Sequence, residues 1–400
     1  MLLSLLVYSL TGFTLFFLGW HVNKREQQSL LNGGAKLPFY SWEIFLSLLV
    51  FSVVAGARYH TGYDHAMYLE QYQHLQETGD FSRHNFEYGF EWISRLFAWC
   101  NIHYFFYFAF WALLQIGFLY FGLRNHKHLL CWVGLVIMLG PYFVSWMNSV
   151  RQSVVVCIFV TLVSFIKERD LKKNVLVILV MLCVVILAAF IHKSALLMIP
   201  VLLILFLINV LRVDKNAPNR WVMLSIFAFF VLLGNYPFWI DYFSNYQWFL
   251  DITGYQNYAN LDDPNVAGQF RTINWGPLHV LLLLSNVALI WFYPELKKFF
   301  KDDTLLPYFF LMAFVGLCLT NLLMNTTHFI LRPVEYFNIF VVIITAYLLC
   351  YLYKTKNVIM FILVSILSFG YIYIAVVKAF YYPTRTSVPF LYHLFFCPSL

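Results

Sequence analysis

At 400 residues, 62% hydrophobic, 20% aromatic and only 11% charged, the chain carries less than half the charge density of a soluble domain, where roughly a quarter of residues are charged. With a mean hydropathy of +0.72, this excludes a soluble enzyme, a disordered scaffold and a disulfide-stapled secreted domain, and leaves an integral membrane protein. The net charge of +7 resides almost entirely between the apolar runs, so its placement says more than its sum.

Taken in chain order, runs long enough to cross roughly 30 Å of hydrocarbon predict helices at 2–20, 40–57, 103–123, 129–148, 152–167, 174–191, 194–211 and 221–238, then at 274–293, 304–326, 333–353 and 357–377. The expected fold class is an all-α polytopic bundle of about 12 transmembrane helices, one membrane domain over 1–400, with short amphipathic helices in its outer loops. The first run begins at Met1 with no basic n-region and no small-residue cleavage site, and Lys24 and Arg25 follow it, so it is expected as a retained helix. Cys100, Cys131, Cys157, Cys183, Cys318, Cys350 and Cys397 lie mostly inside apolar runs without CxxC spacing, as small core hydrophobes do.

Lys and Arg in the connecting segments set the orientation, because basic residues are retained on the cytoplasmic side. Alternating the loops puts 17 of the 26 on one side, including Lys24, Arg25, Lys172, Lys173, Lys297 and Lys298, and 9 on the other, including Arg58, Arg151, Lys193 and Arg332. Both termini are therefore expected outside, with short basic cytoplasmic connections. The longer outer segments, about 58–102 and 239–273, mix Asp, Glu, His, Arg, Trp and Tyr, and any chemistry belongs there.

Four stretches concentrate polar residues at that face. In Arg58-Tyr-His-Thr-Gly62-Tyr63-Asp64-His65-Ala-Met-Tyr68, Gly62 permits a turn and Asp64 suits the N-cap of a following helix on which Asp64 and Tyr68 share a face. The plain alternative is a cap with interfacial aromatics. Glu87-Tyr88-Gly89-Phe90-Glu91-Trp92 opens an amphipathic segment; near the lipid boundary a desolvated carboxylate suits a general base, whereas a solvated polar face is the plainer account of Glu91. In Asn148-Ser-Val-Arg151-Gln152, one continuous helix would bring an amide, a guanidinium and a second amide together at i, i+3, i+4. Keeping an Arg between two apolar runs costs roughly 2.5 kcal/mol or more toward the bilayer centre, so it marks a substrate path unless it snorkels to headgroups.

The fourth group is His192-Lys193-Ser194 with Asn321, Asn325, His328 and Arg332, the last four forming a stripe until Pro333 starts a new helix. Helix-to-helix hydrogen bonding is the plain alternative for the asparagines, as an interfacial histidine is for His192. Together the stretches place Arg151, Arg332, Lys193, His192 and His328 on the side of Asp64 and Glu87. Cations beside carboxylates suit a polyanionic group and a proton to be moved, since guanidinium forks bind phosphate oxygens bidentately. There is no DxD, no HExxH and no Cys/His cluster with ligand spacing, so neither metal nor cofactor is implied.

The ordered set Arg58…Asp64…Tyr68, Glu87-x-Gly89-Phe90, Asn148-x-x-Arg151-Gln152 and His192-Lys193-Ser194-Ala195-Leu196 resembles the EpsG-like family, a branch of the Wzy-type repeat-unit polymerases. The likeness covers roughly 50–210 with motifs in order; beyond it only Arg332 is matched, as a late outer-face arginine. The resemblance implies a GT-C-like bundle in the bacterial inner membrane, its site facing the periplasm. The implied enzyme is a metal-independent glycosyltransferase that joins undecaprenyl-diphosphate-linked oligosaccharides, as donor and acceptor, into O-antigen, capsule or exopolysaccharide. Membrane lipid, a chain-length regulator and a flippase of the same pathway are the partners it implies, with no nucleic acid.

On this view Arg151 and Arg332, with Lys193 or His192 assisting, clamp the diphosphate, and Asp64, Glu87 or His192 is the base. Arg58, Tyr68, Gln152, Lys193 and His328 bind substrate, and Tyr63, Tyr68, Tyr88 and Trp92 offer faces to sugar rings. A glycosyltransferase using polyprenyl-monophosphate sugars, a lipid-linked oligosaccharide flippase or transporter, and a structural partner of an export machine are the alternatives.

Overall fold

A computed structural model describes residues 1–59, 61–62, 64–82, 86–168, 175–211, 218–236, 276–325, 331–382 and 390–394. The helices are α1 (Leu2–Leu31), α2 (Trp42–Gly56), α3 (His65–Thr78), α4 (Tyr88–Trp99), α5 (Tyr104–Gly122), α6 (Lys127–Leu139), α7 (Tyr142–Asn148), α8 (Val150–Glu168), α9 (Val175–Ala189) and α10 (Met198–Leu211). They continue as α11 (Arg220–Gly234), α12 (Pro277–Phe299), α13 (Leu306–Leu322), α14 (Glu335–Lys354) and α15 (Val358–Tyr381). Among the described residues the only strands are β1 (Arg58–Tyr59) and β2 (His393–Leu394), antiparallel, with Arg58 opposite Leu394 and Tyr59 opposite His393.

The all-α membrane class stands, because in lipid a helix satisfies its own backbone. Against the expected twelve spans, five helices among the described residues are long and apolar enough to cross a bilayer, or six if the bent pair α6–α7 counts as one. Six further apolar helices have described stretches of 10–17 residues. The first is longer than expected, running on to Leu31, and the fourth is not one helix. Gly140 and Pro141 interrupt it, and α6 and α7 meet at 68°; a proline removes a ladder hydrogen bond and clashes with the preceding turn. The outer segment expected at 58–102 contains α3 and α4, and 239–273 lies outside the described residues.

The chain forms two compact units, Met1–Lys215 with Thr345–Leu400, and Asn216–Ile344. In the first, small residues let helix backbones close up. A Cβ on Gly19 of α1 would collide with the Cys131 backbone of α6, and one on Gly56 of α2 would lie 2.5 Å from the Phe105 carbonyl at the start of α5. At the basic end, buried Glu43 accepts from Arg25 at 2.6 Å and faces His21 at 2.8 Å, and Lys127 meets Glu26 at 3.0 Å. At the opposite end the Tyr8 hydroxyl donates to the Phe390 carbonyl (3.0 Å), Tyr392 N–H to Ser4 Oγ (2.9 Å) and the Tyr392 hydroxyl to the Val54 carbonyl (2.5 Å). The start of α1, the end of α2 and the 390–394 segment thus share one side.

In the second unit Arg220 pairs with Glu295 at 2.6 Å and Tyr293 stacks on Phe310. The expected polar stripe does not lie on one helix here. The helix ends at Leu322; Asn321 donates to its own helix at Leu317, and Asn325 donates across to the Gly234 carbonyl at 2.7 Å. Arg332 opens a separate one-turn 3-10 helix, Arg332–Val334, and His328 lies outside the described residues.

Candidate functional site

The site is built in the first unit where α3 and α4 meet the start of α8 and the turn after α9. Gly89 and Phe90, in the first turn of α4, donate their otherwise orphaned N–H groups to the Phe190 carbonyl at 2.8 and 3.3 Å. Only a residue without a side chain allows that approach, since a Cβ on Gly89 would lie 2.8 Å from the same carbonyl oxygen. The contact pins Glu87, the N-cap of α4, beside the His192-Lys193 turn. Its side chain makes no capping bond to its own helix.

Instead the Glu87 carboxylate accepts from Arg151 through Oε2 and from the Lys193 backbone N–H through Oε1 at 3.1 Å, with His192 Nδ1 at 4.0 Å. The Arg151 guanidinium lies over the rings of Phe86 (4.8 Å) and Phe90 (5.1 Å), and its Nε approaches the Tyr68 hydroxyl at 3.4 Å. Tyr68, Phe86 and Phe90 contact one another, and Phe90 rests on Trp111 at 5.1 Å. Such cation–π contacts are worth about 0.5–2 kcal/mol each and hold the guanidinium plane.

His192 caps the 3-10 turn Lys193–Leu197: its Nδ1 accepts from the Ser194 N–H (3.2 Å) and faces Ser194 Oγ at 2.8 Å. Lys193 itself is exposed. Trp111 lies seven residues into α5, about 10 Å along that helix at 1.5 Å per residue, and α5 is one of the helices long and apolar enough to cross a membrane.

Other expected residues sit differently. The chain breaks at Ser149 between α7 and α8, so Asn148 is not on the helix face of Arg151 and Gln152. A Cβ on Gly62, whose φ is +95°, would lie 2.6 Å from Asn148 Oδ1, which places that amide against Gly62. Gln152 is buried in α8. Asp64 occupies the N-cap position of α3, half-buried; its carbonyl accepts from Tyr68 N–H, and its side chain makes no capping bond. Arg58 is 1% exposed, donates to the Ala55 carbonyl at the end of α2 and lies 4.7 Å from the Phe108 ring. Burial pulls its guanidinium down to about 10, still charged at neutrality. Tyr88 and Trp92 are 80% and 67% exposed, Tyr63 lies outside the described residues, and Arg332 belongs to the second unit.

Sequence reasoning missed the floor of the site: Phe86, Trp111, the Gly89–Phe190 contact and Gln115. Only Gln115 left a signal, as an isolated amide within the apolar 104–122 run.

No curated protein and no solved structure matches the chain. The EpsG family profile matches residues 42–389, nearly the whole length, and takes in both units and every residue of the cluster. The chain therefore belongs to the EpsG family, a Wzy-like polymerase family.

Proposed function

We propose that the protein joins lipid-linked oligosaccharide repeat units into a surface polysaccharide. The observation that carries this is the Arg151 guanidinium, in the first turn of an apolar helix of an EpsG-family chain, ion-paired to Glu87 and held over two aromatic rings. Arg151 has Glu87 as its counter-ion, and because a planar guanidinium also forms bidentate pairs with phosphate oxygens, an undecaprenyl diphosphate in the bilayer is the anionic ligand assigned to it.

In the proposed reaction the acceptor hydroxyl oxygen bonds to C1 of the donor sugar as the C1–O bond breaks. The electron pair departs on the diphosphate, and the hydroxyl proton passes to a base. Arg151 neutralises the charge that develops on the departing diphosphate. Glu87, already accepting from Arg151 and Lys193, is the orienting carboxylate. Asp64, one turn from Tyr68 on α3, is the base. His192 assists at the diphosphate. The active face is the periplasmic side of the inner membrane, an orientation supported by the Lys and Arg distribution.

The test is reconstitution of the purified protein with the lipid-linked repeat unit of its own organism and separation of products by size. A ladder at whole-repeat spacing is expected. A single added sugar would replace this reading with a polyprenyl-phosphate-sugar transferase, and intact repeat unit moved to the opposite leaflet would replace it with a flippase.

A further inference from the structure

Gln115 is fully buried, eleven residues into α5, a depth of about 16 Å and so close to the middle of the span. Its Nε2 donates to the Val150 carbonyl at 3.1 Å and, more weakly, to the Trp146 carbonyl at 3.5 Å. Those two carbonyls lie on either side of the break at Ser149: Trp146 belongs to α7, Val150 opens α8, and Arg151 follows it. Ser149 ties the same junction by donating to the Ser145 carbonyl at 3.0 Å and pairing with Ser153 Oγ at 3.0 Å.

The Trp146 carbonyl is among the last four of α7 and is freed by the break, whereas the Val150 carbonyl belongs to the first turn of α8 and takes the amide as a second donor beside its own helix; two carbonyl acceptors fix the amide with its NH2 toward them. The opposite atom, Gln115 Oε1, finds no partner among the described residues. An amide buried with its oxygen unpartnered does little for stability, so its presence calls for another reason.

We infer that Gln115 is a positioning residue: it sets the angle at which α8 leaves the break, and through that the reach of Arg151 toward the diphosphate. The inference rests on the diphosphate reading of the Arg151 site. No contact between Gln115 and substrate is involved.

The experiment measures binding of a polyprenyl diphosphate to the full-length protein in nanodiscs, alongside the thermal midpoint of each ligand-free variant. The wild type is expected to bind and Arg151→Ala to lose binding. Gln115→Met, which keeps volume and apolar fit, is expected to keep its midpoint and lose about tenfold in affinity, a drop of about 1.4 kcal/mol. Gln115→Glu adds a readout that a merely structural role would not move. A buried carboxyl is protonated well above its usual range, so Gln115→Glu should bind like the wild type at pH 5.5 and fall away at pH 8.5 as its donor is lost. Wild-type affinity in Gln115→Met, or a Gln115→Glu profile parallel to the wild type, would overturn the positioning role and leave the diphosphate reading standing. Equal binding by wild type and Arg151→Ala, or none by either, would overturn that reading and this inference with it. Should Gln115→Met fail to insert, the pH profile of Gln115→Glu decides alone.

Discussion

The Glu87 carboxylate and the Arg151 guanidinium, 64 residues apart in the chain, form an ion pair in which each side chain is only 15% exposed. Water cannot replace either partner at that burial, so the pair is costly to break from one side and tolerant of neither residue alone. Glu87→Gln keeps the shape and the Lys193 N–H contact but removes the charge. It is expected to lower stability by about 1–3 kcal/mol and polymer output at least tenfold. Arg151→Ala should give no ladder at all. Chain length in cells, read on protein confirmed as inserted, checks both; normal polymer from Arg151→Ala would end the clamp proposal.

His192 holds Ser194 through Nδ1, so that lone pair is occupied and the neutral ring carries its proton on Nε2. Asparagine is a good N-cap but too short to place a donor at Nε2; glutamine reaches that position but caps poorly. His192→Asn is therefore expected to fold normally with activity down about a hundredfold, and His192→Gln to melt earlier yet retain most of its turnover per folded molecule. The reverse order would show that Nδ1, not Nε2, does the work.

Gly89→Ala should separate α4 from the turn after α9, because the added methyl meets the Phe190 carbonyl at 2.8 Å and backbone cannot swing aside. Overpacking of this kind costs about 1–3 kcal/mol. Thermal melts together with polymer size measure it, and since Glu87 moves with α4, activity should fall by more than the melt alone explains.

Tyr68→Phe should matter little. The hydroxyl lies 3.4 Å from Arg151 Nε, a long hydrogen bond, whereas the ring is buried against Phe86 and Phe90. Loss in kcat/KM of about threefold or less is expected for Phe, and about thirtyfold or more for Ala. A large effect of Phe would make the hydroxyl, not the ring, the functional part.

The contacts of Ser4 and Tyr8 with Tyr392 and Phe390 place both ends of the described chain on the side of the α3–α4 segment. In a cysteine-free background, Glu77→Cys is expected to react with an impermeant maleimide from the same side as a C-terminal tag, and Lys36→Cys from the other. Labelling of both from one side would reverse the fold of α1 and α2 in the membrane.

Composition and hydropathy sufficed for the membrane class, and the described part of each apolar run expected from them is mostly helical, because lipid offers backbone amides no partner outside their own helix. The ordered motifs were also legible: Tyr68, Glu87, Arg151, His192 and Lys193 were singled out along the chain and come together in one cluster. What each of them touches was not legible. Residue spacing assumes an unbroken helix, whereas Gly140-Pro141 interrupts one run and the break at Ser149 is bridged from α5 by Gln115, a nonlocal group. For the same reason Asn148 left the face of Arg151, and the Asn321–Arg332 stripe came apart at Leu322. Residue types and their order follow from local chemistry, but the Glu87–Arg151 pair exists only because Gly89 lets α4 dock on Phe190, a contact between segments a hundred residues apart that no local preference encodes.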